Sequence, residues 1–169
     1  RRLVAERALA QHCPELLRAA PQLGELLPLL AAAGDALAKV LGDGRPAVLT
    51  FMYSSCATVC PITNQTLVAF EQALGAELSR VNVVSISIDP DHDTVRRLAE
   101  HARRTGARGS FFTGDPAASE AVQRAFNAWR GGDKMNHTPV FLLKGRGSAT
   151  WTRVDGLVTP RQLLQIYRG

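Results

Sequence analysis

Cys56 and Cys60, in Phe51-Met52-Tyr53-Ser54-Ser55-Cys56-Ala57-Thr58-Val59-Cys60-Pro61, place two sulfur groups four residues apart, immediately before a proline. Two thiols at that spacing either oxidise to a disulfide closing a very small loop or clamp one soft metal ion. The surroundings favour chemistry over a structural cross-link. A stabilising disulfide gains with the length of the loop it closes, and a chain of 169 residues buries a core without one. Residues 47–53 (AVLTFMY) form the short, nearly continuous apolar run of a strand covered on both faces. Pro61, with φ preset and no N–H, suits the first position of the helix that follows. It also biases Cys60 away from the helical region. Cys60 is therefore expected at a helix mouth, where unpaired N–H groups and the positive end of the dipole favour a thiolate.

His137, in Met135-Asn136-His137-Thr138-Pro139, lies on a loop after the Gly131-Gly132 pair and before a strand. It reads either as an ordinary loop histidine or as a nitrogen ligand. Two thiolates and an imidazole suit copper, the sulfurs favouring Cu(I) and the nitrogen helping to hold Cu(II). Met135 offers a thioether, although packing is the plainer role, and Thr138-Pro139 is a candidate cis bond. A second constellation fails. Asp89, Asp91, Asp93 and Glu100 mimic calcium-loop spacing, but Thr94 stands where the sharp turn requires glycine, and residues 95–100 read as helix. Asp93 is better used as a helix cap. His12, His92 and His101 read as exposed and separate, and Cys13, among leucines, as a buried unreactive thiol.

The elements that must position these groups follow from periodicity and punctuation. Residues 81–88 (VNVVSISI) make a second β-branched run, followed by a helix from Asp93 to about Arg104, stopped at Gly106. Residues 110–113 are a short strand, and Asp115-Pro116 opens a helix to about Trp129. Residues 139–143 and 150–154 pair across the turn at Gly145-Arg146-Gly147, and Thr159-Pro160 caps a last helix ending near Tyr167. The order is that of an α/β domain with a mixed central sheet flanked by helices, in which sites gather at the carboxyl ends of parallel strands. Upstream, Pro14, Pro21 and Pro28 forbid one long helix, and residues 26–37 are expected to form a hairpin turning at Gly34-Asp35. Residues 1–169 are read as a single domain, with 1–41 an N-terminal extension and 42–169 the core.

The net charge of +5 is mostly scattered arginine. Arg96-Arg97 and Arg103-Arg104 read as a solvated helix face. No interleaved aromatics suggest a nucleic-acid surface, so a mild preference for acidic protein partners is all that follows. No apolar stretch is long enough for a transmembrane helix, and a start at Arg1-Arg2 without methionine leaves room for an upstream signal or anchor.

Residues 51–61 (FMYSSCATVCP), 84–94 (VSISIDPDHDT) and 134–143 (KMNHTPVFLL) together resemble the Sco/SenC family, from about Gly42 to the end and in the right order. That resemblance implies a thioredoxin-like fold and a metallochaperone that delivers copper to a partner such as a cytochrome oxidase subunit. It implies Cys56, Cys60 and His137 as the copper ligands, and a membrane-anchored protein facing the bacterial periplasm or, less readily, the mitochondrial intermembrane space. The alternative is a thiol–disulfide oxidoreductase served by a thiol reductant, in which Cys56 attacks and Cys60 resolves. Binding and transfer rather than turnover is the leading reading. A peroxidase is disfavoured, since no convincing peroxide-binding threonine and arginine flank either cysteine.

Overall fold

Strand β1 (Ala47–Met52) is buried at every position, as its apolar run requires. It is central in a sheet of order β3-β2-β1-β4-β5 in the computed structural model, which describes residues 36–148 and 150–169. β1 pairs in parallel with β2 (Asn82–Ser87), from Ala47 opposite Asn82 to Met52 opposite Ser87. β3 (Ser110–Phe112) continues the parallel half at one edge. On its other side β1 pairs antiparallel with β4 (Val140–Lys144), which turns into edge strand β5 (Trp151–Asp155). The mixed sheet and its hairpin are those expected from the sequence.

Side-chain alternation along β1 sorts the two cores. Val48 joins Leu67, Phe70, Phe141 and Leu163 on one face, beneath α1 (Val59–Leu74) and α4 (Pro160–Arg168). Leu49 and Phe51 join Val84, Ile86, Val122 and Leu142 on the other, beneath α3 (Pro116–Ala125) and a helical segment at residues 36–42. Leu37 and Leu41 belong to that second core, so the packed body reaches back past the boundary expected at Gly42. The hairpin expected over residues 26–37 falls outside the described residues except at its end, where residues 36 and 37 are helical. Cys13 and His12 also lie outside the described residues. The third cluster matters most for chemistry. Met52, Tyr53, Cys56 and Cys60 pack there with Phe111 and with Leu98 of α2 (Val95–Thr105) at the carboxyl end of β1.

Three local expectations are corrected. The cap of α2 is Thr94, whose hydroxyl accepts from the Arg97 N–H, while Asp93 turns inward. α3 ends at Ala125 rather than near Trp129: Asn127 takes a left-handed φ of 52°, and the Ala128 N–H returns to the Gln123 carbonyl. That reversal seats the Phe126 ring against Phe51 and Trp151, at 6.3 and 5.1 Å between centroids. Thr138-Pro139 is trans, as no described peptide bond is cis.

Candidate functional site

After β1, Tyr53 continues the buried line, and the Cys56 N–H closes a turn on the Tyr53 carbonyl at 3.2 Å. The chain then enters α1, with Thr58 as its N-cap residue and Val59 and Cys60 already helical. Pro61 is thus the third helical residue, not the first, still within the first turn, where an N–H has no intrahelical partner to lose. Cys60 resists the steric bias of a pre-proline residue because its N–H is held by the Cys56 sulfur at 3.4 Å while its own side chain is buried. It is therefore the Cys56 sulfur that receives a helix N–H, that of Cys60, with the Thr58 hydroxyl a further 3.6 Å contact.

This geometry divides the pair electrostatically. Burial works against ionisation of Cys56. It is outweighed by hydrogen bonds from the Cys60 thiol and N–H and from Thr58, which bring Cys56 down to about 6. Burial pushes Cys60 up to about 12, helped by its role as donor to the Cys56 thiolate. Tyr53 is likewise raised to about 12, first by burial and then by its interaction with Cys56. Near neutral pH the site is one thiolate beside one thiol and a neutral phenol. The thiolate expected at a helix mouth is present, on the partner cysteine rather than on Cys60. Alkylation of reduced, metal-free protein should follow a single ionisation near pH 6, with modification at Cys56 and little at Cys60 up to pH 9. Peptide mapping across that range checks the assignment, and a midpoint near 9 for Cys56 contradicts it.

The loop carrying Cys56 is pinned from below. Asp93, fully buried, accepts hydrogen bonds from the Ser54 N–H (3.0 Å), the Ser54 hydroxyl and the Ser87 hydroxyl (2.7 Å). It thereby ties together the end of β2, the entry to α2 and the segment two residues before Cys56. Sequence reasoning missed this role. The signal available was a serine two residues past β1 and another ending β2, with one acid close behind the second.

His137 follows a 3-10 turn (Lys134–Asn136) held by the Asp133 side chain on the Met135 N–H. Its Nε2 lies 3.1 Å from the Phe51 carbonyl oxygen. A carbonyl can only accept, so Nε2 carries the hydrogen and Nδ1 the lone pair. Burial, and secondarily Arg130, shift the ring toward the neutral form against the pull of that hydrogen bond. The structure brings Cys56 and Cys60 together but leaves His137 outside: among the described residues no three His, Cys, Asp or Glu side chains are grouped to hold a metal. Tyr53 connects the two regions. Its ring meets His137 edge-on at 6.5 Å and carries the Lys134 ammonium 5.5 Å above it, and its hydroxyl contacts the Met135 sulfur at 3.6 Å. Lys134 in turn bridges to Asp89 at 2.5 Å. Met135 itself is largely exposed, so the packing role expected of it is replaced by this single contact.

His92 and His101 are half-buried rather than exposed. His101 packs edge-on against Phe111, its Nε2 buried without a hydrogen-bond partner among the described residues. It lines, with both cysteines and Arg104, a groove of about 540 Å³. His137 faces a separate hollow of about 490 Å³.

A dithiol between a central strand and the helix that follows, on a mixed sheet with an antiparallel hairpin, defines a thioredoxin-like protein. The chain belongs to the SCO1/SenC family, whose model matches residues 18–168. It is 26% identical over 156 residues to the mitochondrial "Protein SCO2 homolog" of Bos taurus, covering 91% of this chain and 59% of that protein. It is 28% identical over 111 residues to "Protein SenC" of Rhodobacter capsulatus, covering 66% of this chain and 50% of that one. The chain thus spans little more than half the length of the curated relatives it matches. The structure of Arabidopsis thaliana ScoI with copper bound has the same fold, with a TM-score of 0.64 at 21% identity over 74% of this chain and 83% of that one. No helix among the described residues is long and apolar enough to cross a membrane.

Proposed function

We propose that this chain carries copper as cargo, holding it through Cys56, Cys60 and His137 and passing it to a thiol-bearing partner protein, such as the copper centre of a cytochrome oxidase. The observation that carries this reading is the pair of sulfurs brought together at the head of α1, where the Cys60 N–H donates to the Cys56 sulfur at 3.4 Å and the Cys56 thiol, brought down to about 6, favours its thiolate. Cu(I) meets one soft anionic ligand without prior deprotonation, and its charge then releases the proton of Cys60. The Nδ1 lone pair of His137 is the nitrogen left for Cu(II), once the loop after Gly131-Gly132 gives up its contacts to Tyr53 and Asp89. Membership of the SCO1/SenC family and the copper in the Arabidopsis relative support the cargo. The periplasmic side of a bacterial membrane is the location implied by the resemblance to Sco/SenC proteins, and a SCO1/SenC family lipoprotein of Bacillus anthracis among the similar structures is in keeping with an anchor in the full-length protein. Copper stoichiometry and absorption spectra of the reduced protein test the reading, and absence of stoichiometric copper overturns it.

His137→Ala should weaken Cu(II) binding at least about a hundredfold while changing Cu(I) binding much less, because two thiolates satisfy near-linear Cu(I) but leave Cu(II) short of donors. Competition titrations with each oxidation state check this. Unchanged Cu(II) affinity returns His137 to an ordinary loop residue.

The same divided pair favours a second reading, thiol–disulfide exchange on the partner. The Cys56 thiolate attacks one sulfur of a partner disulfide and the other leaves as thiolate. Cys60, losing its proton, then attacks Cys56 and releases the second partner thiol. Two electrons pass to the partner, and a thiol reductant restores the Cys56–Cys60 pair. His137→Ala separates the two readings, since exchange has no use for the imidazole.

A further inference from the structure

The groove that ends on the thiols runs between α1 and α2, and its α2 wall is formed by His101, Arg104 and Thr105, with Arg104 its one cation and the other arginines of α2 outside it. α2 carries Arg96, Arg97, Arg103 and Arg104 against a single acid, Glu100, which pairs with Arg96 at 3.3 Å. Arg97, Arg103, Arg104 and, beyond the helix, Arg108 make no salt bridge among the described residues. Arg97, His101 and Arg104 recur at spacings of four and three, which places them on one stripe of the helix. Two of these arginines approach imidazoles instead of acids: Arg97 lies 2.7 Å from His92 Nδ1 and Arg104 3.2 Å from His101 Nδ1. Arg104 and His101 line the same groove as Cys56 and Cys60, whereas its α1 wall is neutral, with Asn64, Gln65, Val68 and Gln72.

The other side of the thiols has the opposite character. The hollow beside His137 gathers Asp89, Asp91, Glu120 and Asp133 against Arg130 and Lys134. The ground around the sulfur pair is thus polarised, basic toward α2 and predominantly acidic toward His137. Like charges crowded without counter-ions repel, and the nearest relief for the α2 arginines is an acidic group brought by something else.

We propose that the groove between α1 and α2 docks an acidic, extended segment of the thiol-bearing partner, adjacent to the partner cysteine that exchanges with Cys56. This rests on reading the pair as a transfer site, and adds the chemistry and direction of the partner. A protein segment fits better than an anionic membrane surface, because the groove leads inward to sulfurs whose residues are only 8% and 5% exposed. A flat surface does not reach them. Complementary charge beside a reacting thiolate accelerates encounter more than it deepens affinity, so the rate of the first exchange step is the informative quantity.

The test uses reduced wild-type protein and two cysteine peptides of equal length, each capped as a mixed disulfide with thionitrobenzoate, one flanked by Asp and Glu and the other by Lys. The Cys56 thiolate attacks the peptide sulfur, the capping S–S bond breaks, and thionitrobenzoate leaves as a coloured thiolate. Cys60 then displaces the peptide thiol, its proton passing to that thiol, and the Cys56–Cys60 disulfide forms. At low salt the acidic peptide should react about tenfold faster than the basic one, with the ratio falling toward one at about 0.5 M salt. Arg104→Glu should abolish or invert the ratio, and taking a ratio cancels any general effect on the thiolate. Arg161→Glu, the same charge change on α4 outside the groove, should keep it. Equal rates for the two peptides, or a preference that survives Arg104→Glu, overturn the proposal. So does sedimentation with anionic phospholipid vesicles that depends on Arg104 in the absence of any peptide preference. Copper stoichiometry on the same preparation separates the two claims. A peptide preference without bound copper supports the docking surface and removes the carrier reading, while bound copper without a preference removes the docking surface alone.

Discussion

Replacing Cys56 or Cys60 with alanine is expected to lower the Cu(I) affinity of the reduced protein by several orders of magnitude, leaving the metal-free fold in place. Each substitution removes one of only two soft ligands, and a lone thiolate with an imidazole is a much poorer Cu(I) site than two thiolates. The two variants should differ in their residual chemistry. Without Cys60, Cys56 loses the thiol donor that helps hold it at about 6, so its alkylation midpoint should rise. Without Cys56, the remaining sulfur is buried and its ionisation, at about 12 in the native site, is no longer opposed by a neighbouring thiolate. It should still react sluggishly at neutral pH because burial, the largest cause of its shift, remains. Both sulfurs pack in a small cluster with Met52, Tyr53, Leu98 and Phe111 rather than in the two main cores, so trimming one to alanine should cost about 1 kcal/mol. Competition against a Cu(I) chelator and thermal melting of the apo variants measure the two halves of the expectation. Stoichiometric, tight copper in the double variant excludes the pair as the site.

The parts of this fold legible in the sequence are those set by one short segment at a time. The buried run of β1, the Asp115 and Thr159 caps and the β4–β5 turn each carry their own signal, and all appear where expected, while the proline after Cys60 lies in the first turn of α1 two residues later than expected. What was not legible depended on which neighbour a group finds in space. Asp93 and Thr94 are both good caps, and only the nearness of Ser54 and Ser87 draws Asp93 inward and leaves the role to Thr94. Cys56 and Cys60 are symmetric as residue types. Their division into thiolate and thiol arises from the turn that folds the Cys56 sulfur over the Cys60 N–H at the start of α1. His101 reads as a surface residue of a polar helix until Phe111 of β3 closes over it. The arginines of α2 are exposed, as their reading as a solvated face requires, but nothing in their spacing reveals that the adjoining groove leads to the thiols.

Asp93 carries the largest expected effect on stability. Asp93→Ala leaves the Ser87 hydroxyl, the Ser54 hydroxyl and the Ser54 N–H without their acceptor at a site that is fully buried at Asp93 and at most half-exposed at Ser54. A buried donor stripped of its partner costs about 1–3 kcal/mol. With the hydroxyls free to rotate toward weaker partners, a total of about 3 kcal/mol is expected, or a fall in Tm of about 6–12 °C for a domain of this size. Asp93→Asn keeps one acceptor oxygen and should lose roughly half as much. Thr94→Ala removes only the cap on the Arg97 N–H, an effect of about 1 kcal/mol. The rank order therefore decides which residue caps α2 and which pins the thiol loop. A larger loss for Thr94→Ala than for Asp93→Ala restores Asp93 to the capping role. The pinning role has its own signature in the chemistry. Ser54 is two residues from Cys56, and freeing it loosens the turn that holds the sulfur against the start of α1. In Ser54→Ala protein, which loses the hydroxyl contact while the Asp93 charge stays beside the sulfurs, the alkylation midpoint of Cys56 should therefore move upward from about 6, whereas Thr94→Ala, which leaves the Ser54 contacts in place, should not move it.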